Sequence, residues 1–224
     1  MTAFFITGTG TDIGKTFVTA GLIKALKKNR LAVAALKPVA SGYHRNDAAA
    51  SDAGQLLTAL GQSVTEENVA AISPWRFAAA LSPHMAAARE GRTVDYAALL
   101  DFTAKAVANT EGVLFIEGIG GVMVPLDAKH TTLDWMAEIK LPLILVAGSY
   151  LGAISHTLTA VDALTRRGLR LAALVVNESP GSTVAHVETA QSLAARVNTA
   201  VVTLPRDAAT GNVGFVALEA LVSG

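Results

Sequence analysis

The chain contains no cysteine, so disulfides, cysteine-ligated zinc and thiol nucleophiles are all excluded. It is poor in aromatics, at 5%, and in charge, at 16%. Its 18 basic and 18 acidic side chains cancel to a formal net charge of zero. No electrostatic footprint for nucleic acid or for an anionic lipid surface follows from such a balance. Long apolar runs are missing too. Stretches such as "LPLILVAG" (141–148) are far too short to cross a bilayer. The amino terminus enters a strand-like run with no basic region, apolar stretch and cleavage site in succession, so no signal peptide is expected and the cytoplasm is the expected compartment.

What is abundant is aliphatic material. Residues of the hydrophobic class make up 51% of the 224, enough for a large core, and a single domain over residues 1–224 is expected. Short aliphatic runs occur at 4–7, 112–118, 141–148 and 171–177, with weaker ones at 31–39 and 199–205. None alternates apolar with polar, which predicts strands covered on both faces, as in a parallel sheet. Helical patterns fall between them at 16–28, 49–60, 95–109, 152–167 and 183–197. The alternation predicts an α/β fold, an open, mostly parallel sheet with helices on both faces. Segment 62–94 breaks the rhythm and reads as an irregular excursion with a short helix near 82–90.

Ligands of such sheets bind at the carboxyl ends of the strands, so the residues there matter most. After the first run comes "GTGTDIGKT" (8–16). Its glycines let backbone N–H groups turn toward an anion, the next helix presents its positive end, and Lys15 can reach outer phosphates. Thr16 stands where phosphate loops offer a hydroxyl to Mg²⁺. The spacing is stretched: five residues separate Gly8 from Gly14, one more than Gly-x-x-x-x-Gly-Lys-Ser/Thr allows. The second run ends in Lys37-Pro38, where proline keeps its predecessor extended and aims the lysine along the rim. The third ends in "EGIGG" (117–121), a carboxylate followed by a glycine-rich turn suited to a metal and close backbone approach. Asp52, in "SDAG", reads by itself as part of a helix start. "GSYLGAISHT" (148–157) leads a strand into a helix whose free N–H groups suit an anion, and His156 there reads as packed or exposed rather than catalytic.

Taken together, these segments resemble the dethiobiotin synthetase family, P-loop NTPases of biotin biosynthesis. The resemblance rests on the stretched glycine loop, "KPVASG" (37–42), "SDA" (51–53), "SPHMAA" (82–87), "EGIGG", "LPLILVAG" and "LGAISHT", in order. It implies ATP- and Mg²⁺-dependent closure of 7,8-diaminopelargonate and CO₂ to dethiobiotin, through a carbamate and a carbamic-phosphoric anhydride. Lys15 and Lys37 would be catalytic, and Thr16, Asp52 and Glu117 would hold the metal. Asp12, Ile13, Gly14, Lys15, Thr16 and Phe17 would line the phosphates, with Asp52 and Glu117, Gly118, Ile119 and Gly120 beside them. Asn177, Glu178, Pro205, Arg206 and Asp207 would take the adenosine end. Thr11 and Ser41 would meet the diamine, and Gly152 and Ser155 would reach it from the second subunit of a homodimer. Asp12, Ile119 and Ser155 depart from the Glu, Ala and Asn usual in the family. A nucleotide switch of the plasmid-partition and cell-division-site type shares the sheet but usually carries a further lysine early in the loop, absent between Gly8 and Gly14. A cobyrinate-type amide ligase often needs a cysteine that this chain lacks.

Overall fold

The computed structural model describes residues 2–223. Six strands form one all-parallel sheet: β1 (Thr2–Gly8), β2 (Val33–Leu36), β5 (Val113–Glu117), β6 (Leu143–Ala147), β7 (Leu171–Asn177) and β8 (Ala200–Leu204), in the order β2-β5-β1-β6-β7-β8. β5 and β6 are buried along their whole length, as the unbroken aliphatic runs require of strands covered on both faces. The helices of the predicted alternation are α1 (Lys15–Lys28), α2 (Asp52–Leu60), α5 (Tyr96–Asn109), α7 (Ala153–Arg166) and α8 (His186–Ala194).

The run at 31–39 divides. β2 stops at Leu36, and after Lys37-Pro38 the chain leaves the sheet as β3 (Val39–Ser41), which pairs in parallel with β4 (Trp75–Phe77). Proline cannot continue a hydrogen-bonded ladder. The Lys37 N–H instead donates to the Ile72 carbonyl at 3.0 Å, and Trp75 N–H to the Pro38 carbonyl at 3.0 Å. The excursion at 62–94 therefore holds α3 (Glu66–Ile72) and β4 as well as the expected short helix, α4 (Pro83–Arg89). Two further helices, α6 (Thr132–Ile139) and α9 (Val213–Ser223), complete the fold. α6 begins at a reciprocal Thr131/Asp134 capping box and anchors on β1 through Trp135, whose ring meets Phe5 edge-on at 4.8 Å.

Because every strand runs the same way, all six carboxyl ends open on one rim, with β1 and β5 side by side at its centre. No helix among the described residues is long and apolar enough to cross a membrane.

Candidate active site

The loop after β1 turns through two residues of positive φ, Asp12 at 57° and Gly14 at 97°. α1 then starts with no side-chain cap and no acidic residue in its first turn, so its leading N–H groups face the rim. Lys15 lies almost buried beneath the loop and donates to the Gly10 carbonyl at 2.8 Å. Burial, and then the charge of Lys37, lower its pKa to about 8.

Across the rim, β5 delivers Glu117, which is 0% exposed, and β2 delivers Lys37, which is 2% exposed. Lys37 Nζ lies 2.7 Å from Glu117 Oε1, 2.8 Å from Asp52 Oδ2 and 2.8 Å from the Gly118 carbonyl. Thr16 donates its hydroxyl to that same Glu117 Oε1 at 2.7 Å. Glu117 Oε2 is buried with no hydrogen-bond partner. Ser51 caps α2 by accepting from the Gly54 N–H, which leaves Asp52, 44% exposed, free to face Lys37. Burial opposes charge on Lys37, but the two carboxylates outweigh it and hold its pKa above the ordinary lysine value. Burial likewise opposes charge on Asp52, and pairing with Lys37 outweighs it, so the carboxyl is held below its ordinary value.

Lys15, Thr16, Lys37 and Asp52 border a cleft of about 480 Å³, also lined by Thr11, Asp12, Gly14, Phe17, Ser41, Ile119 and Gly120, with Glu117 buried behind Thr16 and Lys37. A recess of about 230 Å³ adjoins it beyond Phe17, lined by Ile13, Asn177, Glu178 and Arg206. Asn177 Nδ2 donates to the Ile13 carbonyl at 3.0 Å, and its Oδ1 is buried without a partner. Glu178 accepts from the Arg206 N–H at 3.1 Å. Pro205 is half-buried and Asp207 exposed in the following turn, and neither lines the recess. Gly152 and Ser155 are exposed at the start of α7 and line neither space. His156, also exposed, sits 2.9 Å from the Tyr150 hydroxyl through Nδ1.

Tyr43 and Gln55 line the cleft without having been singled out from sequence. Tyr43 follows "ASG" directly, so a rim strand ending at Ser41 was the signal for it. Among the described residues, no three His, Cys, Asp or Glu side chains group as a metal site. The oxygens gathered here are two carboxylates and a hydroxyl, hard donors that a Mg²⁺ ion combines with water and phosphate oxygens rather than a full protein cage. Backbone N–H groups, two ammonium groups and these oxygens suit a polyphosphate and its counter-cation.

The family described as an AAA domain matches residues 2–212. The ATP-dependent dethiobiotin synthetase BioD of Acidiphilium cryptum is 51% identical over 178 residues, covering 79% of this chain and 80% of that protein. The protein of the same name from Methylobacterium nodulans is 46% identical over 211 residues, covering 92% and 94%. Among solved structures, the septum site-determining protein MinD complexed with Mg-ADP from Pyrococcus horikoshii OT3 superposes with a TM-score of 0.54 at 17% identity, covering 92% of this chain and 82% of that one. That likeness is one of fold, the P-loop NTPase sheet. The identity to the synthetases, sustained over most of both chains, is far closer: the chain belongs to the ATP-dependent dethiobiotin synthetase family.

Proposed function

We propose that the cleft binds ATP by its phosphates and uses it to close 7,8-diaminopelargonate and CO₂ into dethiobiotin. The observation that carries the reading is the meeting of Thr16, Lys37 and Asp52 around the buried carboxylate of Glu117, one bond from the phosphate loop. One amine takes up CO₂ as a carbamate, the carbamate oxygen attacks the γ-phosphorus and expels ADP, and the second amine then attacks the anhydride carbon and expels phosphate. Such a sequence needs positioning and charge neutralisation more than a protein nucleophile. Lys15 would leave the Gly10 carbonyl for the β- and γ-phosphates, with the N–H groups of Asp12–Phe17 around them. Lys37 would face the carbamate, where negative charge builds. Thr11 and Ser41, on the cleft wall, would orient the diamine.

Thr16, Asp52 and Glu117 would hold Mg²⁺, and the unpartnered Glu117 Oε2 fits that assignment because a buried carboxylate oxygen calls for a cation. The ion would neutralise charge on the phosphates. The backbone of Gly118, Ile119 and Gly120 would pass beside it. Asn177 Oδ1, buried and unpaired, is an acceptor suited to the exocyclic amine of adenine, with Glu178, Pro205, Arg206 and Asp207 around the base and ribose. Gly152 and Ser155 would serve the neighbouring subunit of a cytoplasmic homodimer.

The test is incubation with the diamine, bicarbonate, Mg²⁺ and ATP, with dethiobiotin detected by mass spectrometry. Absence of product, with ATP turnover indifferent to the diamine, would sink the reading.

Lys15 supplies a pH prediction. Its free-state pKa of about 8 should rise when a polyphosphate pairs with the ammonium. Nucleotide binding above that pH must then take up a proton, and affinity should fall by up to about tenfold per pH unit. Calorimetric titration with ADP in two buffers of different ionisation enthalpy measures the uptake directly. Equal heats in the two buffers at about pH 8.5 would contradict the assignment.

A further inference from the structure

We infer that Lys37 is the free protein's stand-in for the divalent cation, holding the metal ligands until the nucleotide brings the ion in. The inference rests on the reading of Thr16, Asp52 and Glu117 as those ligands. An ammonium has three N–H donors and no acceptor. Those of Lys37 face three oxygens, at 2.7 Å on Glu117, 2.8 Å on Asp52 and 2.8 Å on the Gly118 carbonyl. The Thr16 hydroxyl joins the same Glu117 oxygen. Glu117 Oε1 and Asp52 Oδ2 are thus bonded to Nζ and the Thr16 hydroxyl to Glu117 Oε1, so each of the three residues assigned to the metal is tied to Lys37 by one oxygen, while Glu117 Oε2 keeps no partner.

Two carboxylates this close, one of them wholly buried, need a positive partner at all times. With Lys37 in place, a second cation on the same oxygens would meet like charge at contact distance, so the site should be closed to a bare divalent ion. Phosphate oxygens change that balance. They add negative charge beside Thr16, the ion takes over Asp52 and Glu117, and the ammonium is released into the cleft that Ser41 lines. Only the side chain has to move, because the Lys37 backbone is fixed by its bond to Ile72 and by Pro38. Lys37 therefore has two places. It is a placeholder before the nucleotide binds and a charge facing the carbamate afterwards.

The experiment is Mn²⁺ binding followed by electron paramagnetic resonance, with thermal melts confirming that each variant is folded. Wild type without nucleotide should bind Mn²⁺ weakly, and should bind one ion tightly once ADP is present. Lys37→Met should bind one Mn²⁺ without nucleotide on the order of 10²-fold more tightly than wild type does. Lys37→Met combined with Glu117→Gln should lose that gain. If Lys37→Met binds the ion no better than wild type while wild type with ADP binds it, the placeholder role is wrong and the ligand assignment stands. If wild type with ADP binds no ion, both fall.

Should Lys37→Met fail to fold, ¹H–¹⁵N spectra of the lysine ammonium groups in wild type decide instead. The inference requires a protected Lys37 signal that survives ADP with chelator and moves when Mg²⁺ is added with ADP. A signal indifferent to Mg²⁺ overturns it.

Discussion

Glu117→Ala is expected to cost about 3–5 kcal/mol of stability, because it strands the buried Lys37 ammonium without its closest counter-charge. Glu117→Gln keeps the shape and should fold, yet its rate of dethiobiotin formation should fall by roughly 10²–10³. Loss of the charge removes both an oxygen ligand for the counter-cation and the group that fixes Lys37. Chemical denaturation and a product assay on the two variants separate the effects. If Glu117→Gln turns over near the wild-type rate, Glu117 is only a structural partner of Lys37.

The pH dependence of this cluster has a definite sign. The Asp52 carboxyl is held below its ordinary 3.8, so its contribution is complete above that value and is lost as pH falls through the lower folded one. The Lys37 ammonium is held above its ordinary 10.5, so its contribution is complete below that value and is lost only as pH rises through the higher folded one. Both stay in force across neutrality. The stability gap between wild type and Glu117→Gln should therefore be flat from about pH 5 to 6.5 and should narrow above it, where Lys15, which also feels the Glu117 charge, titrates at about 8.

The sheet was readable from sequence because parallel strands covered on both faces leave unbroken aliphatic runs: β5, β6 and β7 each sit in one, and β1 extends past the run at 4–7 on both sides. The β3–β4 pair was not. Strands of three residues carry no periodicity, and Lys37-Pro38 concealed the point where the chain leaves the sheet. α6 left a usable signal, the Thr131/Asp134 box, in a stretch to which the aliphatic and helical patterns assign no element. α9, "VGFVALEALVS", is nearly apolar all round, so no face marked it as a helix.

For the site, residue types and strand ends were visible but their partners were not. Lys37 and Glu117 stand 80 positions apart, and only the β2-β5-β1 strand order brings their side chains within 2.7 Å. Asp52 shows the same limit. "SDAG" reads as a helix start, and only the structure shows Ser51 capping while Asp52 turns to Lys37.

Gly14→Ala should lower nucleotide affinity by roughly a hundredfold, about 2–3 kcal/mol, from backbone strain plus one lost hydrogen bond. Gly14 sits at φ 97°, where an L side chain is strained, and an added Cβ would run into the Asn177 amide. That amide holds the Ile13 carbonyl, so moving it loosens the loop and turns the unpaired Asn177 Oδ1 out of the recess. Gly10→Ala is the control. Gly10 also lies in the stretched loop, but a Cβ there meets only Ile13 Cγ2, at 4.0 Å, and its φ is not in the left-handed region. Titration calorimetry with ADP should find Gly10→Ala close to wild type. If the two variants lose affinity equally, the loop needs glycine for general pliancy. If only Gly14→Ala fails, the constraint is one contact, between the turn into α1 and the asparagine that ends β7. The extra residue of the loop then lies upstream of that contact, between Gly8 and Gly14, where Thr11 and Asp12 face the cleft rather than the recess alone.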